Sequence, residues 1–253
     1  MTQSTHGCPC WYELATSDLT AAQAFYAATL GWTVVDSGMP GMDYRLAQID
    51  GSMIAGMMQS QAEQPQAWTI YFAVDDCDKT FAQATELGAT GLTQPADIPN
   101  TGRFALLTDP EGAKFGILQP LPMDGQGGAF NQSKTGFGNW NELLATDPAG
   151  ALDFYRQLFG WTLSRSVEMG PDMTYHIIAW NGTDIGGVFA PMQGMGGSRW
   201  RPYFGIRSAT TAATEVPKSG GKVLRGPDEV PGGALTLQIL DPQGIELALV
   251  GPS

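Results

Sequence analysis

Histidine is nearly missing from this chain, with only His6 and His176 among 253 residues. Cysteine is almost as scarce: Cys8, Cys10 and Cys77 are too few to make a disulfide framework. Cys8-Pro-Cys10 lacks the two-residue gap of redox and zinc motifs, and no second Cys pair or close His pair completes four ligands. The expectation is a flexible N-terminal tail carrying reduced thiols, with a surface metal-binding tail that includes His6 as the alternative. Basic residues are also few. Lys and Arg total 13 against 25 Asp and Glu, for a formal net charge of -12. Such a chain repels a phosphate backbone, which argues against nucleic acid as a partner. An acidic surface suits cationic or neutral small molecules, or serves solubility alone. No apolar run approaches the roughly 20 residues of a membrane span. The start, Met1-Thr-Gln-Ser-Thr-His-Gly, has neither the basic nor the apolar stretch of a secretory signal. A soluble, cytoplasmic protein is expected.

What the chain has instead is a duplication. Trp11-Tyr-Glu-Leu14, Phe25-Tyr26 and Gly31-Trp-Thr33 return 129 positions later as Trp140-Asn-Glu-Leu143, Phe154-Tyr155 and Gly160-Trp-Thr162. Asp18 and Asp147 also match, and ten of twenty-three residues agree without a gap. The length suits two domains, and the 33 glycines suit many tight turns between short strands. We read residues 1–124 as an N-terminal domain, 125–135 as a linker marked by Gly125, Gly127 and Gly128, and 136–253 as a C-terminal domain.

Trp11 to Thr16 alternates with period two and reads as a strand. Asp18 then caps a helix from about Leu19 to Leu30, and Gly31 stands where a left-handed residue ends it. In the second copy Asp147 is followed by Pro148 at the first helical position, where no donor is needed. Ala22, Phe25/Tyr26 and Leu30, and likewise Leu152, Tyr155 and Phe159, have helical spacing, so the aromatic pairs read as core anchors. Asp50-Gly51 and Asn181-Gly182 are two-residue hairpin signals. A second unit of the same order follows in each copy. Its helix is capped by Asp76 or Asp78 in the first, and it ends on an Asp-Pro-x-Gly turn, Asp109 to Gly112 and Asp241 to Gly244. Pro217 predicts a shortened or kinked helix in the second copy. The Gly/Met-rich stretch Met192 to Ser198 either connects units or covers a ligand.

Four β-α-β-β-β units, an Asp leading into a helix with Phe-Tyr…Leu-Gly-Trp, and the Asp-Pro-x-Gly hairpin together resemble the vicinal oxygen chelate superfamily, which includes glyoxalase I, bleomycin-resistance proteins and extradiol dioxygenases. The chain looks more closely like the tandem glyoxalase-like proteins of actinobacteria. The resemblance covers residues about 9 to 120 and 138 to 251. It implies an α+β fold of two tandem domains, each of two β-α-β-β-β units forming a curved mixed sheet with helices on its outer face. It also implies a metal held in the sheet by first-strand and last-strand residues. Counting from the landmarks, those positions are Trp11, Gly56, about Thr69 and Gly116 in the first copy, and Trp140, Gly187, about Arg201 and Ala248 in the second. None carries the imidazole, carboxylate or thiolate that zinc, nickel or iron takes. The expectation is no cofactor, with a divalent metal as the alternative, and glycines that leave a roomier cavity.

Strand alternation sets Trp11 and Glu13 on one face, and the resemblance implies that this face lines the cleft. Glu13 and Glu142 then occupy equivalent places, each two residues from a Trp. A carboxylate beside an indole in a partly dry pocket tends to have a raised pKa and could act as a general base. Alternatively, each Glu accepts hydrogen bonds from neighbouring strands and holds the unit's shape. Trp11, Trp140, Tyr71, Tyr203, Arg201, Lys114 and Glu246 are the candidate substrate-binding residues. His176, expected to be the only imidazole within a folded unit, is a further catalytic candidate. Three readings stay open: a metal-free binding protein for an aromatic, carbonyl-containing or cationic small molecule; a glyoxalase-like lyase, isomerase or oxygenase; and an interaction protein with vestigial clefts. The expected assembly is a two-domain monomer or a homodimer.

Overall fold

The computed structural model describes residues 4–39, 41–61, 65–121, 128–170, 173–191 and 196–253. Residues 125–127 of the expected linker and 192–195 of the Met192–Ser198 stretch lie outside them. The first repeat runs β1 (Pro9–Thr16), α1 (Leu19–Leu30), β2 (Thr33–Asp36), β3 (Tyr44–Ile49), β4 (Ser52–Gln59), β5 (Ala67–Ala73), α2 (Cys77–Glu86), β6 (Thr90–Ile98), β7 (Gly102–Thr108) and β8 (Lys114–Pro120). The second runs β9 (Gly138–Leu144), α3 (Pro148–Phe159), β10 (Thr162–Gly170), β11 (Met173–Trp180), β12 (Thr183–Phe189), β13 (Arg199–Gly205), α4 (Ala209–Lys218), β14 (Lys222–Glu229), β15 (Leu235–Leu240) and β16 (Glu246–Gly251). Each repeat forms one eight-stranded mixed sheet, in the orders β2-β3-β4-β1-β5-β8-β7-β6 and β10-β11-β12-β9-β13-β16-β15-β14. This is the α+β architecture expected, in two tandem copies.

Local chemistry explains the element ends. The Asp18 carboxylate accepts from Thr20 N and Ala21 N at 3.0 and 2.9 Å, satisfying amides that have no partner inside the helix. Gly31, at φ 74°, closes α1 in the left-handed conformation that a Cβ would disfavour. Asp76, and not Asp78, caps α2. Pro217 does not shorten its helix: α4 and α2 each have 10 residues, because the proline falls in the last turn. Asp50 and Asn181 take positive φ, 49° and 46°, in the predicted hairpin turns.

The sheets follow the repeats, but the packing does not. The chain condenses into two compact units. One is Met1–Cys10 with Thr69–Gln126 and Asn141–Trp200; the other is Trp11–Trp68 with Gly127–Trp140 and Arg201–Ser253. Each unit therefore draws on both repeats. In the second, Trp32 and Trp68 pack against Phe204 from the other repeat, at 5.1 and 5.2 Å between centroids. In the first, Trp161 and Trp200 pack against Phe72 at 5.0 and 5.4 Å. The Gly-Trp signature gains a purpose here: the Trp32 indole donates to Gly136 O at 2.7 Å, and Trp161 to Gly7 O at 2.8 Å. Buried indoles need such acceptors.

The same unit corrects the expectation of a flexible tail. His6 Nε2 lies 3.1 Å from Leu158 O, and His6 O accepts from Trp180 Nε1 at 2.7 Å. Cys8 O accepts from Ala73 N, and Cys10 already belongs to β1. His176 is thus not the only imidazole in a folded unit. Polar pairing and aromatic packing from the other repeat hold the segment in place, and no local sequence pattern reports that. Burial pushes the Cys8 thiol up to about 11 and also raises that of Cys10, which disfavours the thiolate that a metal or a nucleophilic role requires.

Candidate functional site

Parallel pairing of β1 with β4 sets Glu13 opposite Gly56, and the pairing of β9 with β12 sets Glu142 opposite Gly187. Neighbours in such a ladder face the same way, so each glutamate shares its face with a glycine. The glycines do not leave room, contrary to expectation. A Cβ at Gly56 would run into the ring and hydroxyl of Tyr44, and one at Gly187 into those of Tyr175. Tyr71 fills the place beside Gly116 in the same manner, its register partner across β5 and β8. The absent side chains make space for phenol rings, which use it.

Those phenols make specific contacts. Tyr44 donates to Glu13 Oε2 at 3.0 Å and accepts from Trp11 Nε1 at 3.3 Å. Tyr175 donates to Glu142 Oε1 at 3.0 Å, while its ring stacks on Phe189 at 5.4 Å. Tyr44 thus links Trp11 and Glu13. Burial around Tyr44, with the Glu13 charge beside it, raises its phenol well above the ordinary value, so it stays a donor at neutral pH. Glu142 is 7% exposed, and Glu13 and Trp11 are half-buried.

Most of the other candidates lie in the second unit of a repeat. Arg201, buried at 1% exposure, pairs with Glu246 at 2.6 Å and lies 5.9 Å from the Tyr203 ring centroid. A buried guanidinium requires such a partner, so these three candidates form one cluster. Tyr203 opposes Ala248 in the β13–β16 ladder. Lys114 is half-buried at the start of β8, two residues before Gly116. Trp140 is half-buried on β9, on the face of Glu142 by alternation. His176 is not part of this arrangement. It alternates with Tyr175 onto the opposite face of β11, where its Nδ1 lies 2.9 Å from Ser166 Oγ.

Tyr44 and Tyr175 were missed in the sequence, although a signal existed. Each stands twelve residues before its glycine, at the same place in both repeats. The implied metal fails at these positions. Indole, glycine and alanine offer no side-chain donor, the threonine hydroxyl is not a usual ligand of zinc, nickel or iron, phenol rings occupy the glycine places, and the Arg201 cation is paired with Glu246. Among the described residues no three His, Cys, Asp or Glu side chains gather where a metal ion could be held.

Comparison with known proteins agrees with the duplication. Residues 11–118 match the "Glyoxalase-like domain" family model, and 138–249 match "Glyoxalase/Bleomycin resistance protein/Dioxygenase superfamily". "Putative glyoxylase CFP32" of Mycobacterium tuberculosis (strain CDC 1551 / Oshkosh) is 30% identical, over 98% of this chain and 95% of its own length. "Anthracycline biosynthesis protein DauV" of Streptomyces sp. (strain C5) is 27% identical, over 99% and 95%. The fold is shared with the 2,2',3-trihydroxybiphenyl 1,2-dioxygenase of Sphingomonas wittichii strain RW1, at TM-score 0.70 and 15% identity, over 98% of this chain and 91% of that one.

Proposed function

The chain belongs to the glyoxalase/bleomycin resistance/dioxygenase superfamily, and on that premise we propose that it is a small-molecule-binding member working without the superfamily's metal. The observation that carries this reading is the replacement of ligand positions by tyrosine-filled glycines in both repeats. Where the superfamily places an ion, this chain presents carboxylates held by phenols, Glu13 by Tyr44 and Glu142 by Tyr175. A carboxylate beside an indole suits a flat, aromatic ligand carrying a positive charge or a strong hydrogen-bond donor. The net charge of -12 favours the same class, and so does a relative named for anthracycline biosynthesis.

The test is calorimetric titration with a panel of planar aromatic amines in buffer containing a chelator. Saturable binding, unchanged by the chelator and weakened about tenfold by Tyr44→Phe or Glu13→Gln, is the expected result. Binding that disappears on chelation and returns with one equivalent of a divalent metal would overturn it.

A second reading rests on Glu142, a largely buried carboxylate oriented by one phenol. That is the placement a general base needs to remove a proton next to a carbonyl. Glu142→Gln then abolishes turnover of the ligand and leaves its affinity nearly intact, whereas a pure binder gives no product with either form.

A further inference from the structure

The two repeats differ on the face opposite Glu142 and Tyr175, and the difference opens a cavity in one of them. About 300 Å³ lies between α3 and the β10–β12 strands, lined by Leu152, Tyr155, Trp161, Leu163, Ile178 and Val188. At its rim Arg156 and Asp153 form an ion pair at 2.6 Å. In the first repeat the corresponding ground is filled. Arg45 reaches from β3 to the helix and donates to Gln23 at 3.0 Å, and Met57, its partner across the β3–β4 ladder, is completely buried. Register and repeat alignment set His176 and Val188 at the places of Arg45 and Met57, and Leu152 at that of Gln23. Val188 is shorter than Met57. His176 pairs with Ser166 on β10, and Leu152 has no polar group to offer a strand. Three substitutions between the copies thus remove the bridge and the filler together.

We propose that this cavity is a second small-molecule site, for an uncharged, mostly apolar aromatic molecule with one hydrogen-bonding group. Its volume stands at the lower end of ligand pockets, roughly 300–1,000 Å³, which suits one or two fused rings. Four aliphatic side chains form the walls, and the Tyr155 and Trp161 rings give an aromatic floor. The rim charges neutralise each other, so a net charge on the ligand gains nothing, while the Arg156 guanidinium and Asp153 carboxylate can each take part in one hydrogen bond. The site lies on the other face of β11 and β12 from Glu142, so it stands or falls independently of the proposed metal-free binding.

Indole serves as the probe, titrated into the full chain with labelled Ile, Leu and Val methyls and labelled Trp indole N–H groups. The expected result is saturable shifts at Leu152, Leu163, Ile178 and Val188. The first repeat's closing set, built in as Leu152→Gln, His176→Arg and Val188→Met, should weaken binding about tenfold or more, read at Ile178 and Leu163. Should that triple variant not fold, Leu163→Glu replaces it, since Leu163 is 54% exposed at the mouth and tolerates a polar group; the same loss is expected. Shifts confined to the Trp11 and Trp140 indoles, no shifts up to the solubility of indole, or unchanged binding in a folded variant would each overturn the proposal.

Discussion

At the scale of single residues, a glycine is informative here because of what stands over it. Gly187 takes an ordinary strand conformation, so its lack of a side chain matters through the contact with Tyr175. Gly187→Ala forces the phenol out of its place or the strand out of register. Overpacking of this sort costs about 1–3 kcal/mol, and losing the Tyr175–Glu142 bond adds about 1 kcal/mol or more. The expected outcome is a urea midpoint lowered accordingly, together with weakened ligand binding. Gly170→Ala, at an exposed position where a Cβ meets nothing within 4 Å, should leave both nearly unchanged. Equal effects at the two positions would mean that Tyr175 is not held against Gly187. The glutamates were legible from the sequence because the repeat kept them. The tyrosines were passed over because they sit on a neighbouring strand, and only pairing brings them near.

At the scale of elements, the two signatures of each repeat, the helix Phe-Tyr and the Asp-Pro-x-Gly turn, meet across the repeats. Tyr26 donates to Asp241 at 2.9 Å, and Tyr155 to Asp109 at 3.1 Å. Each aspartate also caps its own turn, accepting from two amides, Glu111 N and Ala113 N for Asp109, and Gln243 N and Ile245 N for Asp241. Burial is the largest influence on both carboxyls and raises them above the ordinary 3.8, against the pull of these donors. A raised folded-state value means that the native state holds the proton more tightly than the unfolded chain. The contribution is complete below about 3.8 and fades as pH rises through the folded value. Relative to an Asp109→Asn/Asp241→Asn variant, which does not titrate there, the wild type should therefore gain stability as the pH falls from neutral towards 4. Urea midpoints of both proteins at pH 7, 5 and 4 would check it, and a difference that stays flat or shrinks on acidification would refute it.

At the scale of the whole molecule, neither repeat encloses a core alone. Trp32 and Trp68 of the first repeat pack on Phe204 of the second, and Phe72 of the first on Trp161 and Trp200 of the second. Burying each such side chain contributes roughly 1.5–3 kcal/mol, and a typical domain has a net stability of only about 5–15 kcal/mol. Losing several of these contacts at once removes most of that margin. Residues 1–124 produced alone should thus lack a cooperative thermal transition and show poorly dispersed amide resonances, and adding residues 125–253 in trans should restore both. A sharp, independent melt of the isolated half would show that its sheet suffices.

The sequence by itself determined the duplication, the order of strands and helices, the helix caps, the hairpin turns and the absence of imidazole, carboxylate and thiolate at the implied metal positions. These depend on periodicity, on capping chemistry and on residue identity, all of which are local. Tertiary structure alone decided that the cores interleave the repeats, that the N-terminal segment is fastened, and that tyrosines occupy the glycine places. It also decided that Arg201 is paired with Glu246 and that a cavity opens beside α3 in the second repeat. Each of these results from side chains distant in sequence competing for the same volume or the same hydrogen-bond partner, and no local pattern encodes who wins.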